Sequence, residues 1–441
     1  MLQVGNCHKK KIVGSLLLEA DYFSKRMTLS VSGYAIDSRE VKPGELFFAL
    51  RGSKLDGHIF LRQVAAGGAK GAVVEKGYRG EDFGLTLIRV EDPLFYLQEL
   101  AKNHLAKMGA KVIGITGSVG KTTTKEFAWQ LLHQKYRVGK TPLNKNTKIS
   151  LPLSILSFTG KEEVVILEMG MTEKGDLARL VTIAPLDIAL ITHISLAHVE
   201  FFSKGLMGIA EGKMEIFSHP KTELALIPFE IGFEDILSRY PLKKKRFSTK
   251  DKRADFYLRK KGRGFVIYEG ELVSPLLFFP FKESHLLEDA MAAISIARSV
   301  GMSYPEIAES LPYLKTPPDR FEKFEKEGIL FINDTYNASP ASMRAAITNL
   351  PKNRGKIILV LGEMKELGSF SDQSHQEIGK LASSIADRVY TLGGGDYRVG
   401  KSFQNHEELA ASLKNEIKKG DVVLIKGSRS MQMEKVLRCF Y

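Results

Sequence analysis

The chain holds few of the residues that usually announce a special environment. Among 441 residues there are two cysteines, Cys7 and Cys439, and a single tryptophan. Two thiols at opposite ends exclude a disulfide-rich scaffold and a cysteine-ligated metal cluster, and they suit a reducing compartment. No apolar run approaches the roughly 18 residues that cross a bilayer, so no membrane insertion is expected. Leu16-Leu17-Leu18 follows basic residues near the start, but Glu19 and Asp21 come directly after it and no small-residue cleavage site does. No export signal is therefore read, and the expectation is a cytoplasmic protein. Negative charge is also in deficit, with 51 Asp and Glu against 64 Lys and Arg and a net charge of +13. Such a balance admits nucleic acid, an anionic membrane surface or anionic small substrates. The densest basic runs, Lys9-Lys10-Lys11 and Lys243-Lys244-Lys245-Arg246, lack the interleaved aromatics of a single-strand groove. They read as solvated faces, no nucleic-acid partner is expected, and the charge is left to gather phosphorylated substrates.

What is present is concentrated in residues 111–124. The apolar run Lys111-Val-Ile-Gly-Ile leads into Thr116-Gly-Ser-Val-Gly-Lys-Thr-Thr-Thr. A strand entering a glycine-rich turn that opens a helix is a cradle for nucleotide phosphates, because the backbone amides and the helix N-terminus present positive charge. Gly117, Ser118, Val119, Gly120, Lys121, Thr122 and Thr123 form this loop. Lys121 can reach the β/γ-phosphates, and the Thr122 hydroxyl can ligate magnesium. The strict pattern has a glycine six residues before its lysine, where this chain has Ile115. The loop is a variant, and ATP is the expected ligand.

Length and pattern predict an α/β protein of three domains, 1–106, 107–314 and 315–441. The first has short strand-like runs, Glu45-Leu-Phe-Phe-Ala-Leu and Gly71-Ala-Val-Val-Glu, and a helical stretch from Asp92 to Ala106. The second is a central ATPase-type parallel sheet. Glu163-Val-Val-Ile-Leu-Glu and Asp187-Ile-Ala-Leu-Ile-Thr are apolar throughout, as strands covered on both faces are. Residues 311–319 carry three prolines and read as a stiff linker. Beyond it, strands at 329–333, 356–361, 387–392 and 421–426 alternate with helices near 340–350, 372–386, 405–418 and 430–438. This alternation predicts a Rossmann-like doubly wound sheet.

Ligands of such sheets sit at the carboxyl ends of the strands. Glu168 ends one of them and can hold magnesium beside the phosphate loop. His193 and His198 follow the next strand, where a metal or phosphate role competes with a structural one. Lys213, in Glu211-Gly-Lys-Met-Glu, is by itself an ordinary salt-bridging lysine.

Taken in order, Gly117-Ser-Val-Gly-Lys-Thr-Thr, Glu168-Met-Gly, His198-Val-Glu, Lys213-Met-Glu-Ile, Asp334-Thr-Tyr-Asn-Ala-Ser-Pro and Lys426-Gly-Ser-Arg-Ser resemble the Mur ligases. These are ATP-dependent ligases that build the peptide of the bacterial cell wall. Three stretches are most similar to the member that adds D-alanyl-D-alanine to UDP-N-acetylmuramoyl-tripeptide. They are residues 37–50 with Asp56-Gly-His58, residues 361–368 with His375, and Asn337-Ala-Ser-Pro-Ala-Ser-Met343.

The resemblance implies ATP and two magnesium ions, with Lys121 as a catalytic cation and Thr122 and Glu168 on the first ion. His198 and a carbamylated Lys213 would hold the second. Asn144, Asn146 and Thr147 would meet the substrate near its reacting carboxylate. Arg320, Asp334 and Asn337 would close over ATP from the third domain, which would also bind the dipeptide. Ser38 and Arg39 lie in the domain that would take the UDP end, and a monomer is expected. The chain departs from the family pattern at His193, Ser150, Leu286, Asp289 and Asp319, mostly around the adenine contacts. Two other classes are kept open: another ligase of the same family, including a folate polyglutamylating one, and a nucleic-acid-coupled ATPase.

Overall fold

The computed structural model describes residues 16–19, 28–52, 55–196, 199–351 and 355–440. The Lys9-Lys10-Lys11 run and His198 lie outside the described residues. The chain divides into two compact units, one made of the residues through Ala110 together with Thr147–Glu163 and the other of Lys111–Asn146 with Val164 onward.

The first unit is built on a parallel sheet in the order Tyr34–Ala35, Leu46–Phe48, Gly71–Glu75, Thr86–Val90. Phe47, Leu61, Val64, Ala72 and Val74 fill its core. Helix Pro93–Met108 begins where the Asp92 carboxylate accepts the Leu94 and Phe95 amides, and it stops at Gly109, whose φ is 62°. Its buried Leu97, Ala101 and Leu105 recur every four residues, and helix Ser150–Leu156 packs alongside.

The second unit carries two sheets. The larger has nine strands. They run parallel from Val138–Lys140 through Val164–Glu168, Lys111–Thr116, Ile188–Ile191, Leu224–Pro228 and Lys243–Ser248 to Phe256–Lys261. Antiparallel strands Gly264–Glu269 and Leu272–Val273 complete it. Every residue of Val164–Glu168 and Ile188–Ile191 is buried, as their unbroken apolar sequence predicts. Helices Lys121–Leu132 and Ser284–Val300 pack against each other. An aromatic ladder joins that pair to the sheet's antiparallel end, with ring centroids 5.3 Å apart for Phe127 and Phe281, 5.8 Å for Phe281 and Phe279, and 5.4 Å for Phe279 and Phe265.

The basic run at 243–246 is not the solvated face its composition predicts. It is a strand flanked on both sides. Lys244 Nζ donates to Tyr240 O at 2.7 Å, Lys245 lies 3.4 Å from Glu269, and Arg246 pairs with Glu234 at 2.7 Å. Long aliphatic stems let lysines lie along a sheet while their charges reach partners at its rim.

The smaller sheet has the order Glu322–Lys326, Ile329–Asp334, Val422–Lys426, Ile357–Gly362, Arg388–Leu392, Lys401–Phe403, parallel except for its first pair. The four expected strands stand within a residue of their predicted bounds. The two edge strands escaped prediction because they are short or charged, which is how sheet edges resist further pairing. In the proline-rich segment, Leu311 and Leu314 are buried, so the stretch is anchored. Register brings the functional strand ends level, with Glu168 beside Ile115, Ile191 beside Thr116, and Lys426 beside Asp334.

Candidate active site

The turn after Lys111–Thr116 admits glycine alone at two positions. Gly117 has φ 151° and Gly120 φ 83°. A Cβ on Gly117 would stand 1.9 Å from Thr192 Oγ1, and one on Gly120 2.2 Å from Asp289 Oδ1. The loop between them is pinned to the neighbouring strand end. Ser118 N–H donates to His193 O at 2.7 Å, Ser118 Oγ to Ser195 O at 2.8 Å, and Thr192 Oγ1 to Val119 O at 2.5 Å. Helix Lys121–Leu132 then starts from Gly120 with no side-chain cap, so its first amides face the loop without an internal acceptor. Lys121 Nζ lies over the turn, 2.7 Å from Gly117 O.

Glu168 is the hub of the polar groups beneath. It is 1% exposed. Its Oε2 accepts from Thr122 Oγ1 at 2.7 Å, and its Oε1 from Asn146 Nδ2 at 2.9 Å. Lys125 Nζ stands 3.6 Å from the same carboxylate and donates to Thr141 O at 2.8 Å and Leu143 O at 2.7 Å. Lys125 was absent from the residues expected at the site. The signal for it is spacing: four residues after Lys121, it shares that residue's helix face. A hydroxyl and a carboxylate meeting at one buried point are the hard oxygen donors that magnesium prefers, so these residues fit the ion. Among the described residues no group of three or more His, Cys, Asp or Glu converges. The ligand set implied by sequence is of another kind, drawing on a hydroxyl, one carboxylate, a modified lysine and His198.

Lys213, on helix Gly205–Met214, is 3% exposed. Burial, then repulsion from Lys121, push its pKa well below the ordinary value, and no carboxylate opposes them. The neighbouring glutamates are engaged elsewhere. Glu211 pairs with Lys174 at 2.9 Å, and Glu215 accepts the Gly175 amide at 2.9 Å. The plain reading of Lys213 as a solvated, salt-bridging lysine therefore fails: the side chain is buried, and its environment disfavours the charged form. Lys121 is lowered too, by burial first, with Glu168 opposing and Arg320 adding to the shift.

Arg320, Asp334 and Asn337 come together across from the loop. The Arg320 guanidinium lies 3.8 Å from the Tyr336 ring centroid, and the Tyr336 hydroxyl feels the charges of Arg320 and Glu168. Asp334 accepts from Lys426 Nζ at 2.6 Å and from the Phe321 amide at 3.1 Å. Asn337 Oδ1 accepts the Arg429 amide at 3.3 Å, while its carbonyl accepts Lys426 at 2.9 Å. Nearby, His285 packs edge-on to Phe321 at 4.7 Å with its buried Nδ1 unpartnered. Asp289 is buried against Gly120 and pushed well above the usual carboxylate range by desolvation, then by Glu288. Tyr336 and Lys426 lie inside quoted motifs, but sequence alone assigned them no role.

The remaining expected residues are divided between the two units. Asn144 is exposed in the loop after Thr141. Thr147 belongs to the first unit, with its Oγ1 3.0 Å from Ser150 Oγ at the start of helix Ser150–Leu156. Ser38 and Arg39 are in that unit as well. Ser38 donates to Gln63 at 3.0 Å, and Arg39 pairs with Asp37 at 2.6 Å. Two motif histidines are framework. His375 Nε2 accepts the Met364 amide at 2.9 Å while Nδ1 donates to Ser371 O at 2.8 Å. His58 Nε2 accepts the Glu75 amide at 3.0 Å while Nδ1 donates to Asp56 at 2.6 Å.

Three family models match in succession: "Mur ligase family, catalytic domain" over residues 30–115, "Mur ligase middle domain" over 115–297, and "Mur ligase, glutamate ligase domain" over 319–429. The UDP-N-acetylmuramoyl-tripeptide–D-alanyl-D-alanine ligase of Bacillus subtilis is 35% identical, with 92% of this chain and 93% of the relative covered. That of Escherichia coli is 31% identical over 93% and 94%. Among solved structures, MurF of Acinetobacter baumannii superposes with a TM-score of 0.85 at 28% identity, covering 94% of each chain. MurF of Thermotoga maritima in complex with ADP gives 0.79 at 33%, covering 92% and 96%. With the phosphate loop, the buried Lys213 and the parallel-rich sheets all accounted for along its length, the chain belongs to the Mur ligase family.

Proposed function

We propose that this protein joins D-alanyl-D-alanine to UDP-N-acetylmuramoyl-tripeptide, forming ADP and phosphate, in cytoplasmic synthesis of the peptidoglycan precursor. The observation that carries the reading is the buried Lys213, which feels the charge of Lys121, itself acted on by Glu168, in a chain similar end to end to ligases of that name. A carboxylate is a poor acyl donor because its leaving group would be oxide. Transfer of the γ-phosphoryl to the tripeptide's terminal carboxylate gives an acyl phosphate, and the dipeptide amine then displaces phosphate to form the amide.

In this reading Gly117 to Thr123 cradle the phosphates, and Lys121 offsets the charge that builds on the transferring group. Magnesium supplies further charge neutralisation between the two anions when bound. Thr122 and Glu168 would hold one ion; Lys213, as its carbamate, and His198 another. A neutral amine is the form that attacks carbon dioxide: the N–C bond forms, one proton leaves the nitrogen, and the uncharged amine becomes an anionic carbamate with oxygen donors. Burial and the charge of Lys121 favour that form at Lys213. Lys125 fixes the loop carrying Asn144 and Asn146, and Asn146 orients Glu168. Arg320, Asp334 and Asn337 close on the nucleotide, while Ser38 and Arg39 receive the UDP end. The protein is proposed to act as a monomer.

Phosphate release measured with each component omitted in turn tests the reading. Turnover should need ATP, magnesium, the nucleotide-linked tripeptide and the dipeptide together. Equal turnover with single D-alanine or free glutamate would move the chain to another member of the family.

A further inference from the structure

The antiparallel end of the nine-stranded sheet combines two features that the ligase chemistry does not use. The first is apolar exposure. Leu272, Val273, Leu276 and Phe278 are each 42 to 50% exposed. They lie on one stretch of chain that runs back along strand Gly264–Glu269, held by Ser274 N–H to Ile267 O at 2.9 Å and by the Phe265–Leu277 bridge. A contiguous exposed apolar stretch of this kind marks an interaction surface. The second is charge. The turn at the tip of that strand carries exposed Arg259, Lys260, Lys261 and Arg263, with Lys282 exposed just past the apolar stretch. Glu271 is the exposed acid among them, whereas Glu269 is bound to Arg298 at 2.9 Å. The two features adjoin: Leu276 Cγ lies 2.9 Å from where a Gly264 Cβ would be, and Gly264 pairs with Lys261.

We propose that this edge is a peripheral docking surface for an anionic lipid bilayer, with the aliphatic and aromatic side chains entering the headgroup region and the basic turn meeting acidic lipids. Charge complementarity selects this occupant. A second copy would set this edge, with its excess of exposed basic side chains, against its own like, and like charges across an interface destabilise it. A nucleic acid would answer the basic residues but leave Leu272, Val273 and Leu276 without a role. Apolar side chains flanked by lysine and arginine are the combination that seats a surface protein on acidic lipid, and the attraction is screened by salt. Nothing here crosses the bilayer.

Vesicle flotation of the full-length protein tests this, with phosphatidylcholine alone and with added phosphatidylglycerol. Binding is expected with the acidic lipid only, falling as salt rises. Lys260→Glu with Lys261→Glu should weaken it more than about tenfold, and Leu276→Ser with Phe278→Ser should also lower it. Phosphate release in solution should be unchanged in both variants. Absence of binding to acidic vesicles, equal binding by the charge-reversed variant, or salt-insensitive binding to phosphatidylcholine alone would each overturn the proposal. So would a concentration-dependent dimer, lost in the serine variant, in a protein that ignores vesicles.

Discussion

The larger unit holds two buried lysines, Lys426 at a strand end and Lys213 on a helix, in opposite electrostatic conditions. In the six-stranded sheet, Lys426 has its charge answered by Asp334 at 2.6 Å and by a carbonyl at 2.9 Å. On helix Gly205–Met214, Lys213 meets burial and the repulsion of Lys121. A buried charge with partners is a finished structural element, whereas one without them is held in readiness for something the protein must bind. The difference separates framework from chemistry more sharply than burial or residue type does.

The largest effect expected is on Lys213 itself. Lys213→Arg keeps the charge but cannot take up carbon dioxide, and its phosphate release should be near background. Lys213→Ala should be equally poor yet partly restored by formate or acetate, since a small carboxylate replaces the missing anion. An active arginine variant would erase the distinction between the two lysines.

Stability should sort the pair the other way. Lys426→Met leaves the part-buried Asp334 carboxylate without its cation, which costs up to about 3–5 kcal/mol and should be visible in urea unfolding. Lys213→Met, measured in metal-free and carbon-dioxide-free buffer, should show no such loss. The sign follows from linkage. With the folded pKa of Lys213 below the ordinary 10.5, the unfolded chain binds the extra proton between those two values. Parent stability therefore rises with pH across that window, and the methionine variant should lack that rise. A shared slope would mean that Lys213 is compensated after all.

Lys121→Ala should slow turnover by about 10²–10³, or about 3–4 kcal/mol, with the fold retained. The smallest effect belongs to Arg39, whose pair with Asp37 is solvent-exposed. Arg39→Ala should leave the unfolding curve where it is and raise the KM for the UDP-linked substrate only. An equal rise in the KM for ATP would show that it does not act at the UDP end.

Much of this was legible in the chain. The phosphate loop and the strands 164–168 and 188–191 declare themselves through local pattern, because a strand buried on both faces must be apolar throughout. Arg320, Asp334 and Asn337 were legible only through motif resemblance, since nothing local brings a residue at 320 to one at 121. Lys125 and Tyr336 were missed for the same reason: their importance is a matter of what they touch. Lys125 reads as one more basic residue on a helix until Thr141, Leu143 and Glu168 are seen around it. The run at 243–246 misled, since its four basic residues hide a strand in which Lys244, Lys245 and Arg246 find partners.

The aromatic ladder from Phe127 through Phe281 and Phe279 to Phe265 has a mechanical consequence. The helix that opens at Lys121 cannot tilt without pressing a chain of ring contacts, one stacked, one tilted and one edge-on, against the hairpin at the sheet's far end. Phosphate loop and hairpin are thereby joined in one cooperative unit of unfolding, whose amides should exchange with solvent in the same opening event. Stiffness introduced at either end is transmitted to the other without any hinge between them.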